Sequence, residues 1–253
     1  MLQKNMKQHT VITLSEVKKR CKRKNSEAND RLHWFSSKFS IYFSYLFLKI
    51  RFTADHVTFI FFFVGLIGSF LYAFNSLILS LIAYFFFRLH IIIDMSDGDV
   101  ARFNKSFSIR GSYWDAVIHS ILNPLYFVFI SYSFFIQFNN NIFLILGAFM
   151  GVSSSVLMGV KNNYYKALFS NKISTSPIKS KKSVDKNIKN KLLALISDGV
   201  SIEGFILITV LVRFVDKEVF ALVLTTGYLI LNIIISIVKF YLLSFKGYYE
   251  GRN

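Results

Sequence analysis

Apolar residues run through most of this chain in long blocks separated by short polar breaks. The blocks lie at about Val57–Phe74, Ser76–Ile93, Gly111–Ile136, Ile142–Val160, Ile202–Val215 and Val219–Leu243. A helix needs about 20 apolar residues to cross the hydrocarbon core of a bilayer. All but the fifth block approach that length, so the pattern predicts an all-α polytopic membrane bundle of about six helices. Only Asn75-Ser76 separates the first two blocks, which implies a tight hairpin. Ahead of them, Trp34 to Ile50 mixes aromatic residues with Lys38 and Lys49 and predicts an amphipathic helix lying in the interface. Residues 1–52 are thus expected to form a basic tail and juxtamembrane segment. Residues 53–253 form the transmembrane domain, interrupted by a basic loop at 161–201 whose Ser/Lys/Asn-rich centre is expected to be mobile.

Composition agrees with this class. The chain has 29 Phe and only 2 Pro among 253 residues, is 53% hydrophobic, and carries a net charge of +16. The basic residues are distributed unevenly. Segments 1–56, 94–110, 161–201 and 244–253 hold 12, 3, 9 and 2 of the 30 Lys and Arg. Cytoplasmic segments carry such an excess, so both termini and the two intervening segments are expected on the cytoplasmic side of the inner membrane. The run Lys18-Lys19-Arg20, Lys22-Arg23-Lys24 reads as a flexible tail drawn to anionic lipid. It lacks the interleaved aromatics of a nucleic-acid arm, and no nucleic-acid partner is expected. With one cysteine, Cys21, no internal disulfide can form.

Candidate chemistry is concentrated between Asp94 and His119, in DMSDGDVARFNKSFSIRGSYWDAVIH. Charge in or beside a membrane is costly and marks a functional site by default. Asp94, Asp97 and Ala101 share one helix face at spacings of three and four; Gly111, Asp115 and His119 share another at four and four. Two antiparallel helices meeting along these faces bring three carboxylates and an imidazole together. Such a cluster needs cations to hold it, and hard oxygen ligands suit magnesium, manganese or calcium. The pattern therefore points to phosphate chemistry on one or two divalent metals. Asp99 lies off that face and is expected to be solvated. His90, one turn before Asp94, reads as a buried structural histidine, and Lys161 as a surface lysine.

The same residues resemble a known family. Asp94, Asp97, Gly98, Ala101, Arg102, Gly111 and Asp115 match in type and spacing the Asp-x-x-Asp-Gly-x-x-Ala-Arg-x8-Gly-x-x-x-Asp-x-x-x-Asp signature of the CDP-alcohol phosphatidyltransferases. Thr53-Ala54-Asp55-His56-Val57-Thr58 is similar to that family's Thr-Pro-Asn-x-Val-Thr entry to its first membrane helix, with proline and asparagine replaced. The resemblance implies two Mg2+ or Mn2+ ions held by Asp94, Asp97 and Asp115. It also implies a CDP moiety bound by Asp94, Asp97, Gly98, Ala101, Arg102, Gly111 and Asp115, release of CMP, a role in phospholipid or lipid-linked glycan synthesis, and a homodimer. One position departs: His119 stands where the family has the aspartate expected to act as general base. An imidazole can serve as that base, can ligate a metal, or can mark a chain that binds nucleotide and metal without turnover, as a sensor or scaffold.

Overall fold

The computed structural model describes residues 12–21, 31–106, 108–170 and 202–250. Eight α-helices make up these residues: α1 (Leu14–Arg20), α2 (Arg31–Lys49), α3 (Ala54–Leu71), α4 (Leu77–Asn104), α5 (Ile109–Phe138), α6 (Ile142–Ser170), α7 (Ile202–Val215) and α8 (Glu218–Glu250). Local chemistry sets their ends. Thr53 caps α3, its hydroxyl accepting from the His56 N–H while its own N–H donates to His56 Nδ1. Ser76 and Ser108 cap α4 and α5, their hydroxyls accepting from the Leu79 and Gly111 N–H groups. Arg51, Lys105, Asn139 and Asp216 each take a positive φ where one helix gives way to the next.

Five of these helices, α3, α4, α5, α6 and α8, are long and apolar enough to cross a membrane. The expected fifth block does form a helix with the bounds Ile202–Val215, but its 14 residues span only about 21 Å. The described part of this block is shorter than a hydrocarbon core of about 30 Å, and the residues just before it lie outside the described residues, so five of the about six expected spans are present at full length among the described residues. Contacts still show the chain alternating in direction. Glu203 at the start of α7 pairs with Arg88 in the middle of α4, and Arg213 near its end donates to the Phe74 carbonyl at the α3–α4 turn. The α7–α8 turn meets the α5–α6 turn through Asp216 with Gln137 and Glu218 with Asn140.

Apolar residues divide between two environments. Phe61, Phe87, Leu122, Tyr126, Phe127, Phe134, Phe143 and Phe205 are buried between helices. Phe59, Phe63, Ile67 and Phe70 of α3, like Val223, Ile230 and Ile237 of α8, stand 41–65% exposed, as lipid-facing stripes do. Small residues let the helices approach closely. A Cβ on Gly65 would lie 2.6 Å from Leu122 Cδ1 and 2.8 Å from His90 Nδ1, so α3, α4 and α5 meet where only hydrogen fits. Gly147 likewise packs on Ser131 of α5, where a Cβ would come within 2.5 Å.

The N-terminal segment departs from its expected form. Residues 14–20 are a helix, not a flexible tail: Val17 and Cys21 are buried, and Arg20 lies over the Phe103 ring at 4.8 Å. The other residues of the basic run, 22–24, lie outside the described residues. Helix α2 forms where the amphipathic segment was expected, with Phe39, Tyr42 and Leu46 exposed. Its opposite face is a stripe of buried serines, Ser36, Ser40 and Ser44, packed along the back of α4. The expected loop 161–201 begins as helix, since α6 continues to Ser170; residues 171–201 lie outside the described residues.

The Arg88–Glu203 pair is a charged contact within the bundle, reinforced by an Arg88 hydrogen bond to Ser36 at 2.9 Å. Removing one partner strands a buried charge, whereas replacing both with apolar groups does not. Glu203→Ala is expected to lower stability by about 3–5 kcal/mol. The double substitution Arg88→Met with Glu203→Leu should recover most of that loss in thermal unfolding of detergent-solubilised protein.

Candidate metal and nucleotide site

Helix α4 runs unbroken through the aspartate motif to Asn104, so Asp94, Asp97, Gly98 and Ala101 fall on one face. Lys105 ends it in the left-handed region, and the Ser106 N–H returns to the Ala101 carbonyl at 3.0 Å. Ser108 then starts α5 by accepting from the Gly111 N–H at 2.9 Å. This tight connection turns the chain back so that Asp115 and His119 face α4. Asp55 of α3, with Ala54 beside it, closes the third side.

The result is a cavity of about 240 Å³ lined by Ala54, Asp55, Asp94, Asp97, Gly98, Ala101, Ser106, Ser108, Gly111, Ser112 and Asp115. His119 sits one turn along α5 from Asp115. Its Nε2 lies 3.3 Å from Asp115 Oδ1 and 3.6 Å from Asp94 Oδ1. Phe61 stacks on the imidazole at 5.9 Å between centroids, and His90 meets it edge-on at 5.9 Å. His90 itself is buried, with Nδ1 2.9 Å from the Phe61 carbonyl oxygen, which agrees with a structural role.

Asp94, Asp115 and His119 offer ligand atoms that all lie within 4.8 Å of one another. Two carboxylate oxygens and an imidazole nitrogen from two helices are a donor set that fits a divalent cation. Asp97 shares the cavity but not this trio: its Oδ2 accepts from the Thr58 hydroxyl at 2.6 Å.

The family comparison agrees with this geometry. Residues 51–183, just over half of the chain, match CDP-alcohol phosphatidyltransferase. The chain belongs to that family. No individual curated protein matches it. As a CDP-alcohol phosphatidyltransferase family member, it keeps Asp94, Asp97, Gly98, Ala101, Gly111 and Asp115 around one cavity, and it sets the imidazole of His119 against two of the carboxylates.

Arg102, the remaining signature residue, does not line the cavity. Its guanidinium donates to Asp99 Oδ1 at 2.7 Å. Asp99 overturns its expected solvation: it is fully buried, because helix α2 covers the side of α4 that would otherwise face water or headgroups. Lys161 is in α6, its side chain outside the described residues. Thr58, Asp55 and the serines of the α4–α5 connection escaped sequence reasoning as site residues. Thr58 and Asp55 carry a usable signal, since both lie in the Thr53–Thr58 entry segment.

If Asp94, Asp97 and Asp115 bind metal, Asp94→Ala, Asp97→Ala and Asp115→Ala should each weaken Mn2+ binding by more than about tenfold. Loss of a mere supporting partner already costs that much at a metal site. Electron paramagnetic resonance titration of the purified variants measures the affinity, and wild-type affinity in any of them removes that residue from the ligand set.

Proposed function

We propose that this membrane protein moves a substituted phosphate from a CDP-alcohol to an acceptor hydroxyl and releases CMP. The observation that carries this reading is the convergence of Asp94, Asp115 and His119 from two helices, beside a cavity lined by Asp97 and the signature's small residues. Asp94, Asp97 and Asp115 would hold Mg2+ or Mn2+, two ions by family resemblance. Bound there, the ions would offset the charge of the diphosphate and of departing CMP.

The chain's own groups supply the rest. Gly98, Ala101 and Gly111 keep the cavity walls low, so that a nucleotide diphosphate can approach the helix backbones. Asp97 is held in one orientation by Thr58. With the ions held by the carboxylates and not by its ring, His119 takes the proton of the acceptor hydroxyl on Nε2 as the acceptor oxygen bonds to phosphorus and the bond from phosphorus to the CMP oxygen breaks. Arg102 would have to leave Asp99 to reach the phosphates. The excess of basic residues in segments 1–56, 94–110 and 161–201 favours a site facing the cytoplasm, open to soluble nucleotides and laterally to lipid. A homodimer in the inner membrane, in contact with anionic lipid, completes the reading. Two pairings suit such a site: CDP-diacylglycerol with a small polar alcohol or its phosphate, or a soluble CDP-alcohol with a lipid or lipid-linked glycan.

The test is CMP release, followed by mass spectrometry, from CDP-diacylglycerol, CDP-glycerol, CDP-ribitol and CDP-ethanolamine, each offered with candidate acceptors. At least one donor should release CMP, and EDTA should stop it. His119→Ala should lower turnover by about 100- to 10,000-fold, the usual worth of a general base, and His119→Asp should keep measurable activity. Unchanged turnover in His119→Ala rules out the base. A silent wild type beside an active His119→Asp means that the chain binds nucleotide without turning it over.

A further inference from the structure

Among the buried charges that the proposed reaction leaves unused is Asp99. It follows Asp97 by two residues and so points to the opposite side of α4. Its carboxylate is fully buried and engaged at both oxygens: Oδ1 by Arg102 at 2.7 Å, Oδ2 by the hydroxyls of Ser40 at 3.0 Å and Ser44 at 3.3 Å. Its main-chain carbonyl accepts from the Cys21 thiol at 3.2 Å, which brings the end of α1 to the same place. One turn earlier the Ser96 hydroxyl reaches the Ser40 carbonyl at 2.9 Å. A buried carboxylate that gathers donors from α2 and from its own helix holds those elements in one register, because the carboxylate without them would be costly, while Ser40, Ser44 and Ser96 also reach carbonyls of their own helices.

The consequence for the cavity follows from connectivity. Helix α2 ends at Lys49, and α3 begins at Ala54, so only residues 50–53 join them. They form a close turn in which the Phe52 N–H donates to the Phe47 carbonyl at 2.8 Å and Arg51 has a φ of 61°. The first turns of α3 supply Ala54 and Asp55 to the cavity and Thr58 to Asp97. Helix α4 is therefore gripped from both sides: α2 through Asp99 at the back, α3 through Thr58 and Asp97 at the front, with the short turn closing the clamp.

We infer that Asp99 is a positioning residue for the transfer reaction, fixing the α2–α3 unit against the ligand helix and thereby the orientation of Asp97 in the cavity. It touches neither substrate nor metal. The inference rests on the proposed reaction for its effect on turnover, and on the geometry alone for its effect on metal binding.

Full-length protein in lipid nanodiscs tests it with Asp99→Asn, Thr58→Val, the two combined, and Ser40→Ala with Ser44→Ala. Asp99→Asn should lower kcat for CMP release by about 10- to 100-fold, the scale of a small misplacement of reacting groups. It should change KM for the donor less than threefold, weaken Mn2+ binding severalfold, and leave the folded fraction at the wild-type level. Because both residues act on the same wall, the combined variant should be no worse than Thr58→Val alone, within a factor of three. The serine pair should reproduce Asp99→Asn, and it decides the matter if Asp99→Asn does not fold. Wild-type kcat and Mn2+ affinity in both variants would overturn the inference. So would losses that multiply with those of Thr58→Val, or losses that simply follow the folded fraction. If wild type releases no CMP from any donor, the proposed reaction fails by itself, and the Mn2+ titrations still decide the role of Asp99.

Discussion

The structure depends on holding like charges together between two helices. Asp94 and Asp115 belong to different helices, yet their ligand atoms approach within 4.8 Å. Two unit charges at that spacing repel by roughly 3 kcal/mol at an effective dielectric of about 20, and more in a drier site. A proton on His119 or a divalent cation has to offset this. The imidazole already lies between the two carboxylates, 3.3 and 3.6 Å from them, so the side chain that departs from the family's pattern also eases the repulsion that pattern creates.

Close helix contact makes such an arrangement possible. Gly65 lets α3 meet His90 of α4 and Leu122 of α5 without an intervening side chain. Tyr126 of α5 donates to the Gly65 carbonyl at 3.0 Å and ties α5 to α3 at the same level. The α4–α5 connection of four residues returns the chain at once, with Ser108 as cap, so Asp115 cannot drift along α4. Two buried charges away from the cavity are paired, one with another helix and one with the next turn: Glu203 with Arg88, and Asp99 with Arg102.

Much of this was legible in the chain. Long apolar blocks report membrane helices because backbone groups in lipid must bond within one segment, and the fifth block ends at Val215, where its helix ends. The spacing of Asp94, Asp97, Asp115 and His119 reports shared faces because the helix period is fixed. Local rules fared worse wherever distant segments decide the environment. Asp99 reads as solvated from its own helix alone; its burial needs α2, some 55 residues earlier, whose serines look like ordinary polar filler in sequence. Arg20 and Cys21 sit in a basic run that composition assigns to a tail, yet aromatic and backbone partners on α4 dock them. Thr58 is one hydroxyl among many until the fold sets it 2.6 Å from Asp97.

The central claim is that metal and nucleotide diphosphate share the cavity between α3, α4 and α5. Pulsed electron paramagnetic resonance of Mn2+ bound to the full-length protein in nanodiscs, with a CDP-alcohol added, tests it most directly. The account predicts a phosphorus-31 hyperfine coupling to the bound Mn2+ that appears with the nucleotide and disappears in Asp94→Ala. Bound Mn2+ without phosphorus coupling in the presence of the nucleotide, or a coupling that survives loss of Asp94, would contradict it.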